Sequence, residues 1–168
     1  VTVGRKDDNN FKWNSSSEIC SEARNEFDEV LFPNVEFDTE LNEFRIYCDK
    51  PKLVRALRNS IENGIKALKG KNGKIKILCR RLDIYGQFII IDNGTGMDKN
   101  IKQKMLNPYF TTGENTGGSG IGTMIMQYVT EIHNGDLRIE SEKGKGTEII
   151  FNIPIVQNEK HSSNKRKN

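Results

Sequence analysis

The chain has little of what marks the more specialised protein classes. Its 168 residues include three cysteines, Cys20, Cys48 and Cys79, odd in number and without a CxxC pair. That scarcity argues against a disulfide framework or a zinc site and fits reduced thiols in a cytoplasmic compartment. No apolar run approaches the ~20 residues that a membrane span requires, and no charged-then-apolar signal segment opens the chain. Neither sign of charge dominates: 26 Lys and Arg against 23 Asp and Glu leave a net charge of +3. A strongly basic nucleic-acid binder is therefore not indicated. Histidine is rare, with only His133 and His161. What remains is a globular composition, 35% hydrophobic and 29% charged, at the length of one domain.

Both ends read as polar tails: residues 1–17 are aperiodic, and residues 157–168 (QNEKHSSNKRKN) are basic and free of large apolar side chains. The domain is expected between them, over residues 18–156. Ser16 or Ser17 can cap a helix running through SEICSEARNEFDEVL, and VEFDTE and FRIYCD alternate like half-buried strands of a hairpin. From about residue 52 to 68, Val54, Leu57, Ile61, Ile65 and Leu68 fall on one stripe at about 100° per residue, and GKNG closes the helix. KIKILCRRL and QFIIID follow as strands, the second apolar enough to be central. Residues 93–122 then form a long irregular connection rich in Gly, Asn and Thr, with KNIKQKMLN as its one short helical candidate. Connections of that length inside a compact domain are usually functional. A third helix, about residues 120–133, leads to DLRIES and TEIIFNIPI, joined through EKGKG as a closing hairpin. The order α, β, β, α, β, β, loop, α, β, β is that of an α+β domain.

Three segments have the chemistry of a site. Asn59, Asn63 and Lys66 share the helix face nearly opposite the apolar stripe. That face is either simply solvated or presents an amide oxygen for Mg²⁺ and an ammonium for phosphate. DNGTGM, residues 92–97, ends the apolar strand; Asp92 could accept from an adenine amine while Gly94 and Gly96 let backbone approach the base, or the segment is only a turn. GGSGIG, residues 117–122, precedes a helix and can act as a phosphate cradle or a hinge.

In order and spacing these pieces resemble the histidine-kinase branch of the GHKL, or Bergerat-fold, ATPases over residues 49–154. RNSIENGIKAL resembles the N box, which implies Asn63 as the magnesium ligand, Asn59 as the asparagine one turn earlier and Lys66 as the phosphate-contacting base. Gly64 stands where alanine is usual. DNGTGM resembles the adenine-binding glycine box, and NPYFTTGENTGGSGIG the phenylalanine box running into the lid's glycine box, with Thr123 where leucine or serine is commoner. GKGT, ending in Thr147, resembles the last glycine motif. The resemblance implies a two-layer α/β sandwich, a mixed, mostly antiparallel sheet covered on one face by three helices, with an ATP lid over residues 98–117. It also implies ATP and Mg²⁺ as cofactors. The nucleotide-contacting set would comprise Asn59, Asn63, Lys66, Asp92, Gly94, Gly96, Met97, Phe110, Thr112, Gly118, Ser119, Gly120, Ile121, Gly122 and Thr147.

Hydrolytic relatives in this superfamily use a glutamate one turn before the magnesium asparagine, and here that position is Asn59. Glu62 points about 100° away from Asn63 and is a poor substitute. ATP would then be held for transfer to another nucleophile. The resemblance implies a histidine on a separate dimerisation and phosphoacceptor domain, with a response regulator receiver downstream. The family commonly has a histidine where His133 ends a helix in IHNG, so a capping role is expected there, and His161 lies in the polar tail. An anti-sigma-factor-type serine kinase, or a non-catalytic nucleotide-binding module, are the alternative readings of the same fold.

Overall fold

The computed structural model describes residues 9–107 and 121–156. Along the chain run β1 (Lys12–Ser15), α1 (Ser16–Asn25), β2 (Val35–Leu41), β3 (Arg45–Cys48), α2 (Lys50–Ala67), β4 (Gly73–Leu82) and β5 (Tyr85–Asp92). They are followed by α3 (Lys99–Leu106), α4 (Ile121–Ile132), β6 (Asp136–Glu142) and β7 (Gly146–Pro154). Five strands make a mixed sheet in the order β2-β4-β5-β7-β6; β2 and β4 are parallel and the other three pairings antiparallel. Helices α1, α2 and α4 pack on one face of it. The expected α+β sandwich with a central QFIIID strand is what forms.

The longest helix shows why. Asp49 caps α2, its carboxylate accepting from Lys52 N at 3.3 Å, and Pro51 sits in the first turn, where its missing N–H has no intrahelical partner to lose. Leu53, Leu57 and Ile61 on its lower face are fully buried, each contributing about 1.5–3 kcal/mol. That outweighs the ~1 kcal/mol of helix propensity that Gly64 gives up. Beneath lie Ile75, Ile77 and Cys79 of β4, in register with Asp92, Ile90 and Phe88 of β5, and then Thr147, Ile149 and Phe151 of β7. Asp92 thus ends an otherwise apolar row. On the far face Leu78, Ile89 and Ile150 lie across one another beside a polar ladder: Arg80 Nε donates to Gln87 Oε1 at 2.8 Å, and Gln87 Nε2 to Asn152 Oδ1 at 2.6 Å.

Three expectations need correction. Residues 12–15 are not part of a tail: they form β1, antiparallel to β3. VEFDTE and FRIYCD are strands but do not pair with each other, because β2 runs parallel to β4 and β3 takes β1 as partner. The connection between them lacks hairpin hydrogen bonds: Asn42 N bonds Cys79 O, and Glu43 accepts from Ser15 Oγ and Ser17 N. The first helix stops at Asn25, well short of Leu31. Phe27 leaves the helical path to pack against Phe32 and Phe37, Arg24 donates to the Phe27 carbonyl, and Val30 and Leu31 point into solvent.

Candidate functional site

Three elements meet at the end of β5. Asp92, its last residue, is 6% exposed and lies on the helix-facing side of the sheet. Its Oδ1 accepts from Gly94 N at 2.8 Å. Burial pushes the carboxyl above the ordinary range, opposed by the backbone N–H groups of Gly94 and Thr147. Thr147 faces Asp92 in the β5–β7 register. Ser141 on β6 ties the neighbourhood together. Its Oγ donates to Gly146 O at 3.0 Å, accepts from Met97 N at 2.9 Å and lies 2.8 Å from Thr147 Oγ1. With the Ser141 proton committed to Gly146, the Thr147 hydroxyl donates to Ser141 and keeps its own oxygen available as an acceptor.

The DNGTGM loop is clamped on both sides. Thr95 N bonds Ala67 O at the end of α2 (3.0 Å), and Gly144 N of the β6–β7 turn bonds Thr95 O (2.7 Å). A Cβ on Gly94 would lie 2.7 Å from the Ala67 backbone, and one on Gly96, where φ is 63°, 2.0 Å from Glu142 O. The position a side chain would occupy at each of these glycines is filled by protein. They bring a helix end and a hairpin onto Asp92.

Asn59 and Asn63 stand half-buried on one face of α2, with Lys66 exposed a turn beyond Asn63 and Glu62 exposed to one side. Asn59 Nδ2 is buried without a hydrogen-bond partner, a condition that costs about 1–3 kcal/mol unless a ligand satisfies it. A side chain on Gly122 would come within 3.8 Å of Asn59, so this amide faces the described start of α4. Ile121 opens that turn, 57% exposed. Phe110, Thr112, Gly118, Ser119 and Gly120 lie outside the described residues. At the other flank of that segment Met97 packs against the core, Asp98 caps α3, and Leu106 O accepts from Gln127 Nε2 of α4 at 3.0 Å. A cleft of about 490 Å³ between α3 and the β6–β7 hairpin is bordered by Lys102, Asp92, Ser141, Lys145 and Thr147, but not by Asn59 or Asn63.

Among the described residues no group of three or more His, Cys, Asp or Glu could hold a metal ion. His133 is not part of the site. Fully buried, it accepts from Asp49 N through Nε2 (3.0 Å), so Nδ1 carries the proton that meets Val129 O at 2.7 Å. Burial pushes its pKa down, so it clips α4 to the start of α2 as a neutral ring and not as a charge on a helix dipole. Sequence reasoning missed Ser141, whose only signal is the β6–β7 register.

Residues 48–157 match the family described as histidine kinase-, DNA gyrase B- and HSP90-like ATPases. The chain is 38% identical, over 62% of its length, to sensor protein DegM of Bacillus sp. (strain B21-2), and 34% identical, over 71%, to the signal transduction histidine-protein kinase AtoS of Escherichia coli (strain K12). It spans only 27% and 19% of those proteins. The solved catalytic domain of histidine kinase ThkA superposes with a TM-score of 0.76 at 29% identity, covering 87% of this chain and 96% of that one. The matched span contains the clamped aspartate, the orphaned amide of Asn59 and the strand end at Thr147, and the chain belongs to the histidine kinase-, DNA gyrase B- and HSP90-like ATPase family, with the fold of a histidine kinase catalytic domain.

Proposed function

We propose that this chain is the ATP-binding catalytic domain of a two-component sensor histidine kinase and donates the γ-phosphoryl group of Mg-ATP to a histidine on a separate dimerisation and phosphoacceptor domain. The observation that carries the reading is Asn59. One turn before Asn63, facing the start of α4, stands a buried amide with no partner and no carboxylate. An amide can orient phosphate oxygens but cannot take a proton from water. Asp92 accepts from the base, Thr147 Oγ1 offers a second acceptor, Asn63 steers the metal and Lys66 neutralises phosphate. Bound Mg-ATP supplies the transferable phosphoryl group, and its metal neutralises charge on the phosphate oxygens. A response regulator receiver domain is the downstream partner, and the reaction is placed in the cytoplasm. No helix among the described residues is long and apolar enough to cross a membrane.

The test is to incubate the chain with radiolabelled Mg-ATP, with and without a cognate helical-hairpin phosphoacceptor domain. The chain alone should bind ATP, release little phosphate and not label itself; the hairpin should acquire acid-labile label. Acid-stable label on a partner would make it a serine kinase, and brisk phosphate release by the chain alone would overturn the argument from Asn59.

A further inference from the structure

We infer that Ser141 is a positioning residue for base recognition: it draws the Thr147 proton inward, so that Thr147 Oγ1 meets the ligand only as an acceptor and selects an exocyclic amino group. This rests on the nucleotide reading above. The sheet register sets Ser141, Thr147 and Asp92 side by side across β6, β7 and β5, at the border of the cleft. Gly146 fixes that row. Its φ is 98°, and a Cβ there would lie 2.0 Å from Asp92 O, so β7 approaches the end of β5 as only glycine allows. Thr147 N–H in turn bonds the Asp92 carboxyl.

A hydroxyl has one proton to give and two lone pairs with which to accept. Ser141 spends all three: Oγ donates to Gly146 O at 3.0 Å, accepts from Met97 N at 2.9 Å and has Thr147 Oγ1 at 2.8 Å. The third contact is therefore a donation by Thr147. Half-buried at the cleft border, Ser141 has nothing left to offer a ligand and acts through its neighbour. Among the described residues the Thr147 hydroxyl has no second partner. What it keeps is lone-pair density beside a carboxylate that also only accepts. Two neighbouring acceptors match the two N–H bonds of a 6-amino purine, met directly or through water. Without Ser141 the Thr147 proton is free to turn outward, and the edge loses its preference for a donor.

The experiment is calorimetric titration of the full chain with Mg-ATP and with the magnesium complex of purine riboside triphosphate, which lacks only the 6-amino group, with thermal melts alongside. The parent should prefer ATP. Ser141→Ala should shrink that preference by about tenfold, the worth of one hydrogen bond. Thr147→Val, which keeps the shape and loses the hydroxyl, should shrink it at least as much, and adding Ser141→Ala to it should change the preference no further. A serine that only braces the hairpin through Gly146 and Met97 would instead weaken both nucleotides equally and leave the preference intact. That result, or additive losses of preference in the double variant, would overturn the inference. Should Ser141→Ala fail to fold, Thr147→Val carries the test, and an unchanged preference there overturns it. If the parent itself binds no Mg-ATP, the nucleotide reading falls instead. A parent that binds both nucleotides equally leaves that reading standing and removes the selection by Ser141 and Thr147.

Discussion

At the scale of single residues, the site places one carboxylate where folding would prefer none. The Asp92 pKa is raised above its usual value by burial, so the unfolded chain holds the charge more comfortably than the native one. Stability from this group is fully present below the unfolded pKa and is lost as pH rises through the folded value. Asp92→Asn keeps an acceptor for Gly94 N and removes the buried charge. It should therefore melt at or above the parent temperature at pH 7 while losing about 1–3 kcal/mol of ATP affinity. Calorimetry beside a thermal melt checks both halves, and parent-like affinity would remove Asp92 from the base-reading role. His133 has the opposite sign. Its pKa is lowered in the folded state, so its contribution is complete above the unfolded value near 6.5 and falls away as pH drops below it. Melting temperature should decline on acidification from pH 7.5 to 5, and His133→Gln should flatten that decline. An unchanged slope in the variant would show that other groups set it.

At the scale of elements, periodicity identified most of what formed but little of how it paired, the closing β6–β7 hairpin through EKGKG being the pairing it did give. The α2 stripe of Val54, Leu57 and Ile61 and the unbroken apolar run of β5 were legible because burial on one face or on both leaves a signature within a single segment. The β2–β4 pairing was not, since alternation says which side of a strand is buried and nothing about its neighbour. β1 was hidden for a different reason. Phe11 and Trp13 stand alone among polar residues, and only in the folded chain do they meet Tyr47, with Phe11 also against the His133 ring. Asn10 N reaches Asp49 Oδ2 at 2.9 Å beside the α2 cap. A fragment beginning at residue 18, the boundary that the sequence suggests, should lose these contacts together with the Ser15 cap of α1. It should melt at least several degrees below a fragment beginning at residue 9, through loss of the cap and of burial alone. Equal melting temperatures would make β1 an ornament.

At the scale of the whole molecule, the site is a meeting of segments far apart in the chain. The asparagines and Asp92 could be read as motifs because each sits within a few residues of its own signature. Ser141 and the tautomer of His133 could not, because each exists only through packing across elements. The sheet register carries a kinetic consequence. Only β4–β5 and β6–β7 join neighbouring segments; β2 reaches β4 past an intervening helix, and the β5–β7 pair brings position 92 to position 147. Loop closure over such separations makes folding slow relative to helical proteins of the same size. The pairing that creates the proposed binding site is thus among the most distant in the sheet. A half-assembled chain, with its hairpins formed and β5–β7 still open, has no place for ATP. Nucleotide binding therefore reports completion of the sheet, and cellular ATP draws the folding equilibrium toward the finished molecule without stabilising anything less.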